Sequence, residues 1–168
     1  MKVSRPAKML SVLVAIFALL AVSAMPASAG TGYWWVANSA GGCLDYSDQF
    51  EFRVFSCNGD ARYQRMYIQN INSYGPDAYS VKGKSNDGRY RNCLSAYDYG
   101  QTVSTLECGR TRQQVWIIRY SATGRPYFDS LSFPGQCLTR SGDDGKGGFL
   151  LTTEGCSGRE SQYWRLSQ

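Results

Sequence analysis

Beyond about residue 30 the chain alternates apolar and polar side chains at the period of a β-strand. Tyr33-Trp34-Trp35-Val36-Ala37-Asn38 predicts a first strand. Phe50, Phe52 and Val54 alternate with Glu51, Arg53 and Phe55. Period two puts the first three on a buried face and leaves Phe55 on the polar face beside Arg53. Further strands are expected over 64–71, 103–107, 114–118 and 149–153, with shorter ones opening at Tyr79 and Tyr127. Turns are expected at 39–42, Asn58-Gly59-Asp60, 82–91, 96–100 and the glycine-rich 141–148, and a loop at 72–77. No stretch carries the periodicity of an amphipathic helix, so the expectation is an all-β domain of about twelve short strands.

One pattern occurs three times. Gly42-Cys43-Leu44-Asp45 returns as Asn92-Cys93-Leu94-Ser95 and as Gln136-Cys137-Leu138-Thr139. A second cysteine follows each pair, at Cys57, Cys108 and Cys156. A glutamine triplet follows that: Gln64-Arg65-Met66, Gln114-Val115-Trp116 and Gln162-Tyr163-Trp164. A repeat of about 50 residues outranks every other signal here, and divides the chain near 30–72, 73–121 and 122–168. Aligned on the second cysteine, Phe52, Val103 and Leu151 coincide, as do Val54, Thr105 and Thr153; these are expected core positions at strand spacing.

The start of the chain reads differently. Lys2, Arg5 and Lys8 precede an apolar run from Met9 to Val22, and Ala27-Ser28-Ala29 offers a small-residue cleavage site. This is the pattern of a secretory signal peptide over 1–29, of bacterial type, and no later stretch is long and apolar enough to span a bilayer. Three of the 18 basic residues and none of the 13 acidic ones lie in it, which leaves the mature chain at a net charge of +2. That is too mild and too dispersed to argue for nucleic acid. All six cysteines lie beyond the leader, and an even count in an exported chain reads as disulfides. The count alone leaves the connectivity open; the repeat selects Cys43–Cys57, Cys93–Cys108 and Cys137–Cys156, each closing its own loop. With no histidine and no CxxC, a zinc site is not expected.

Cys-Leu-Asp, a second cysteine and Gln-x-Trp, three times in phase, resemble the ricin B-type β-trefoil lectins over nearly the whole mature chain. The resemblance implies a barrel of six strands capped by three hairpins with pseudo-threefold symmetry. It implies that Trp116, Trp164 and Met66 in the place of a third tryptophan pack in the core, and that the glutamines tie strand to loop. It also implies a shallow sugar pocket in each repeat. There the acid after Cys-Leu accepts hydrogen bonds from two adjacent hydroxyls, an aromatic ring covers the C–H face of the sugar, and an asparagine precedes the glutamine.

Repeat one supplies Asp45 and Phe55, but Tyr63 stands before Gln64 where an asparagine is expected. Repeat two has Ser95, Leu106 and Gln113 at these places, and repeat three has Thr139, Glu154 and Ser161; both read as degenerate. The carbohydrate-binding candidates are therefore Asp45, Phe55, Tyr63 and Gln64. Two alternatives stay open for Asp45: sugar acceptor, or cap of the turn at Ser47-Asp48. Phe55 is either a stacking ring or a strand residue half-buried under a loop. Tyr46, Tyr63, Tyr97 and Tyr99 offer a different stacking surface. Asp143-Asp144 fits a hairpin turn better than a calcium loop.

The lack of histidine removes Ser-His-Asp and Cys-His machinery, and the cysteines are committed to bridges. The expected function is non-catalytic binding of glycans or polysaccharide by a secreted domain, without cofactor. The alternative is a trefoil whose sugar sites have decayed and which serves as a protein-interaction subunit of a secreted assembly, a toxin subunit or an inhibitor.

Overall fold

The computed structural model describes residues 29–168. The expected signal peptide falls outside them, but for Ala29. Twelve strands are described: β1 (Gly32–Asn38), β2 (Cys43–Ser47), β3 (Glu51–Phe55), β4 (Arg65–Asn70), β5 (Ala78–Lys84), β6 (Tyr90–Ser95), β7 (Ser104–Glu107), β8 (Trp116–Tyr120), β9 (Pro126–Ser130), β10 (Gln136–Asp143), β11 (Phe149–Gly155) and β12 (Trp164–Ser167). Among the described residues there is no α-helix, only three short 3-10 turns at Asn72–Tyr74, Arg112–Gln114 and Glu160–Gln162.

All pairings are antiparallel. They run β1–β2–β3–β11–β10–β9–β8–β5–β4 and back to β1, a closed ring of nine strands. β12 pairs with β1, and the hairpin β6–β7 hangs on β5. Closure matters because strands this short cannot each bury an apolar face alone, and a ring leaves few free edges to recruit other chains.

The core fills the ring. Leu44, Leu94 and Leu138, the leucines beside the first cysteines, are wholly buried together with Met66, Trp116 and Trp164. The Trp116 indole N–H donates to the Leu94 carbonyl at 3.0 Å and that of Trp164 to Leu138 at 3.2 Å, so each large ring enters the core with its one polar group satisfied. Met66 fills the same kind of place without a donor to satisfy. Phe52, Val103, Leu151, Val54 and Thr153 are buried as expected, while Thr105 is half-buried and its hydroxyl accepts from the Phe52 amide.

The three disulfides join Cys43 to Cys57, Cys93 to Cys108 and Cys137 to Cys156. Around each second cysteine one buried carboxamide does the same work. Gln64 donates to the Ser56 carbonyl at 2.8 Å and accepts from the Asn58 amide at 3.1 Å. Gln114 does so with Glu107 and Gly109 at 2.7 and 2.8 Å, and Gln162 with Gly155 and Ser157 at 2.9 and 2.8 Å. Gln64 and Gln114 stand just before their strands, not inside them as the pattern suggested, and Gln162 stands likewise before β12. The backbone amide of each is taken by a loop carbonyl, that of Asp60, Thr111 or Arg159, and is not offered to a ladder.

Two expected turns are shorter than the sequence implied. β5 runs on to Lys84 and β6 begins at Tyr90, so the turn is 85–89, and β10 continues through Asp143. Polar residues on the outer faces of hairpin strands look like loop when only period is read. Gly83 marks a further constraint: a Cβ there would lie 2.1 Å from the Tyr46 ring, so only glycine lets that buried ring lie against β5.

Removing a carboxamide takes two hydrogen bonds from a loop whose own residues are exposed and can turn to water, which costs about 0.5–1.5 kcal/mol per bond. Emptying the Trp116 site costs about 3–5 kcal/mol. Urea unfolding of the oxidised protein should therefore rank Trp116→Ala below Gln114→Ala and Gln162→Ala, with the two glutamine variants alike. Glutamine variants indistinguishable from wild type would contradict this account of the loops.

Candidate functional site

Asp45 leaves the core on β2 directly across from Arg53 on β3. Both are buried, and Arg53 Nε donates to Asp45 Oδ1 at 3.3 Å. Gln64 Nε2 reaches the other carboxylate oxygen at 3.5 Å. The guanidinium continues to Asp144, donating from Nη1 to Oδ2 at 3.4 Å. It lies between two rings, 4.2 Å from the centroid of Phe50 and 4.4 Å from that of Phe55. A planar, weakly hydrated cation suits such a slot better than an ammonium would.

Arg53 thus belongs to a buried network and not to the solvated face that the alternation predicted. Phe50 departs as well: it lies outside β3 and is half-buried over Arg53, not in the core. The cause is local. Glu51 has a positive φ of 58°, and one left-handed residue between Phe50 and Phe52 breaks the alternation that would have put them on one face.

Asp144 is fixed by its own turn. Its Oδ1 accepts from the backbone amides of Lys146 at 2.7 Å and Gly148 at 2.8 Å. Burial works to raise its pKa, but those amides and the Arg53 charge hold the carboxyl below the usual range. Asp45 goes the other way. Burial lifts it above the ordinary carboxylate value, against the hydrogen bond and charge of Arg53 and the bond from Gln64.

Over this network lies a cleft of about 370 Å³. Its lining includes Asp45, Arg53, Phe55, Asn58, Asp60 and Tyr63, with Asn86 at the far side. Of the sequence candidates, the structure brings Asp45, Phe55 and Tyr63 to this cleft. Gln64 stays beneath it, buried and engaged by the loop and by Asp45. Asp45 does not cap the Ser47-Asp48 turn; the Ser47 hydroxyl takes the Phe50 amide there, and Asp48 takes the Tyr46 hydroxyl. The wall contains residues the sequence reading passed over: Arg53 as a member of the site, Asn58, Asp60 and Asn86. The Asp45–Arg53 pairing was available in principle from the hairpin register, since the two strands closed by the Cys43–Cys57 bridge set an acid and a base at facing positions.

The places that match Asp45, after Cys93-Leu94 and Cys137-Leu138, present no acid. The Ser95 hydroxyl donates to its own Cys93 carbonyl, and Thr139 to Cys137 while accepting from Gln162. Leu106 is exposed, and Glu154 pairs with Arg159. The four tyrosines proposed as one stacking surface are scattered. Tyr46 is buried, Tyr63 lines the cleft, and Tyr97 and Tyr99 stand out at 68% and 57% exposure, Tyr99 against Phe133. No group of metal-ligating side chains occurs among the described residues.

No protein-family model matches this chain, nor does any curated protein sequence. Solved structures do. A mosquitocidal holotoxin superposes with a TM-score of 0.68 at 16% identity over 83% of this chain, which spans only 17% of that toxin's length. A designed threefold-symmetric protein, ThreeFoil, gives 0.66 at 16% identity, over 81% of this chain and 98% of its own. A lectin of Polyporus squamosus, solved with a sialylated human-type influenza-binding epitope, gives 0.62 at 19% identity, over 83% of this chain and 50% of its own. The fold is of the β-trefoil kind. At these identities the likeness carries fold alone.

Cutting Arg53 to alanine strands the buried Asp45 carboxylate without its countercharge, and a broken buried pair costs about 3–5 kcal/mol. The pH dependence separates the two acids. Asp45, raised in the folded state, contributes stability present below the unfolded carboxylate value and lost as pH rises through the folded one. Asp144, lowered, contributes stability present above the unfolded value and lost as pH falls through the folded one. Relative to wild type, Asp45→Asn should gain as pH climbs from about 4, and Asp144→Asn should recover as pH drops below about 4. Thermal melts across this range check both slopes; parallel slopes would contradict the assignment.

Proposed function

We propose that the protein is a secreted, ricin B-like carbohydrate-binding domain that holds glycan at the Asp45 cleft without turning it over. Its trefoil is read as three four-strand repeats, β1–β4, β5–β8 and β9–β12, of which the first keeps a working pocket. The observation that carries this reading is the convergence in one cleft of acceptors, donors and rings. Asp45 and Asp60 accept, Arg53, Asn58 and Asn86 donate, and Phe55 and Tyr63 present aromatic surface. A sugar offers hydroxyls that need both kinds of partner and C–H faces that need rings. Arg53 already covers one face of Phe55, so its guanidinium replaces part of the expected stacking surface and hydrogen-bonds the sugar instead. The three disulfides support an extracellular setting, and no helix among the described residues is long and apolar enough to cross a membrane. Solved neighbours that are lectins support the same reading, and toxin neighbours support a second one.

That second reading is a protein-interaction subunit of a secreted assembly. The exposed Tyr97 and Tyr99, with Leu150 also exposed, favour it.

A glycan array run with residues 30–168, oxidised, beside Asp45→Ala decides between them. The lectin reading expects binding that is lost in the variant, with single-site affinity of about millimolar Kd, near −4 kcal/mol. A blank array, together with a secreted protein captured by wild type and released by Tyr97→Ala, would replace the lectin reading with the interaction subunit.

A further inference from the structure

The Asp45 cleft does not end at Asn86. Tyr63 and Asn86 also line a second depression of about 190 Å³, with Arg62, Lys84 and Gly88. Lys84 and Gly88 in turn line a third, of about 330 Å³, with Tyr33, Ala61, Arg65 and Tyr90. The shared residues make one furrow that crosses from the β2–β3 hairpin, over the 85–89 turn, to the outer wall of β1 and β4.

The far end is built of rings and unneutralised cations. Tyr33, Tyr67 and Tyr90 form a triangle with centroids 5.2, 5.3 and 5.9 Å apart. Register explains it: Tyr33 faces Tyr67 across β1 and β4, and Tyr90 faces Lys84 across β5 and β6. Tyr33 is 45% exposed, and the Arg65 guanidinium stands 5.2 Å from its centroid. Arg62 is paired with Asp60 and Arg91 with Asp87, but Arg65 and Lys84 have no carboxylate within ion-pair distance among the described residues. Cations without countercharge beside partly exposed tyrosine rings are what a linear sugar chain bearing anionic groups would meet well. Its C–H faces lie on the rings, and its carboxylates or sulfates meet the guanidinium and ammonium groups.

The geometry points to a continuous groove for an acidic linear glycan, uronate- or sulfate-bearing, with one sugar at Asp45 and the following ones toward Tyr33, Arg65 and Lys84. This rests on the reading of the Asp45 cleft as a glycan site and adds the ligand's length and charge. It also accounts for how one shallow pocket on a single chain can bind usefully: successive subsites on one ligand act together.

Calorimetric titration tests it with three hexasaccharides and their disaccharides: oligogalacturonate, chondroitin sulfate, and neutral xylo-oligosaccharide. At least one charged hexasaccharide should bind about tenfold or more tighter than its own disaccharide and than the neutral hexamer, with the gain shrinking as salt rises. Oligogalacturonate carries carboxylates alone and chondroitin sulfate carries both groups, so binding of the first shows that carboxylate suffices and binding of the second alone points to sulfate. The double variant Arg65→Gln, Lys84→Gln should remove that gain and leave disaccharide binding unchanged, while Asp45→Asn should weaken both. Melting temperatures equal to wild type certify that the surface variants are folded. If the hexasaccharide binds no better than the disaccharide, or the double variant binds it as wild type does, the groove is wrong and the Asp45 cleft stands. If Asp45→Asn leaves hexasaccharide binding intact, the cleft reading fails, and with it the groove as a continuation of that cleft. Failure of every charged probe to bind overturns the groove.

Discussion

A buried carboxamide beside each second cysteine ties a hairpin to the strand that follows it. Gln64, Gln114 and Gln162 each take the carbonyl before that cysteine and the amide after it. With the disulfide, this leaves the loop no freedom to drift from the ring, and it places the next side chain but one, Met66, Trp116 or Trp164, in the core. The energetic logic is asymmetric. The bonds themselves add modestly, but a loop that let go would leave the buried carboxamide unpaired. The same amide is where fold and chemistry meet. In the first hairpin Gln64 also reaches Asp45, and in the third Gln162 reaches Thr139. The scaffold is common; only the first of these partners is an acid.

The acid is expensive to keep where it is. Buried carboxylates are tolerated when paired and hydrogen-bonded. Asp45 has both, through Arg53 and Gln64. Arg53 in turn links β3 to the 143–148 turn through Asp144, so the cleft wall is held by elements nearly a hundred residues apart in the chain. A ligand arriving here meets a carboxylate already oriented and a guanidinium already stacked, and little ordering remains to be done on binding.

Much of this was legible in the sequence because it rests on period and repetition. Strand alternation pointed to the all-β class, and the three Cys-Leu pairs with their second cysteines to the bridges; that the leucines of those pairs are wholly buried came only with the structure. Asp45, Phe55 and Tyr63 were placed at one site because they sit at fixed offsets from those cysteines. What was hidden depends on single dihedral angles and on long-range pairing. Glu51 at positive φ takes Phe50 out of the strand pattern, and nothing in its one-letter neighbourhood announces this. Asp144 reads as a turn residue, which it is, but its second oxygen serves a site ninety residues upstream. Lys84 and Tyr90 looked like turn and meet as a ladder pair across a hairpin whose strands run further than polarity suggested.

The central claim is that glycan is held against the Asp45–Arg53 pair. The most direct measurement is NMR of the side-chain N–H groups of Arg53 and Gln64 during titration with a glycan that binds. The account predicts that the Arg53 Nε–H and the Gln64 amide protons shift in step with saturation, together with the Asn58 and Tyr63 backbone amides. Saturable binding that leaves these resonances still and moves those of Tyr97 and Tyr99 would contradict it and put the ligand on the 96–100 loop.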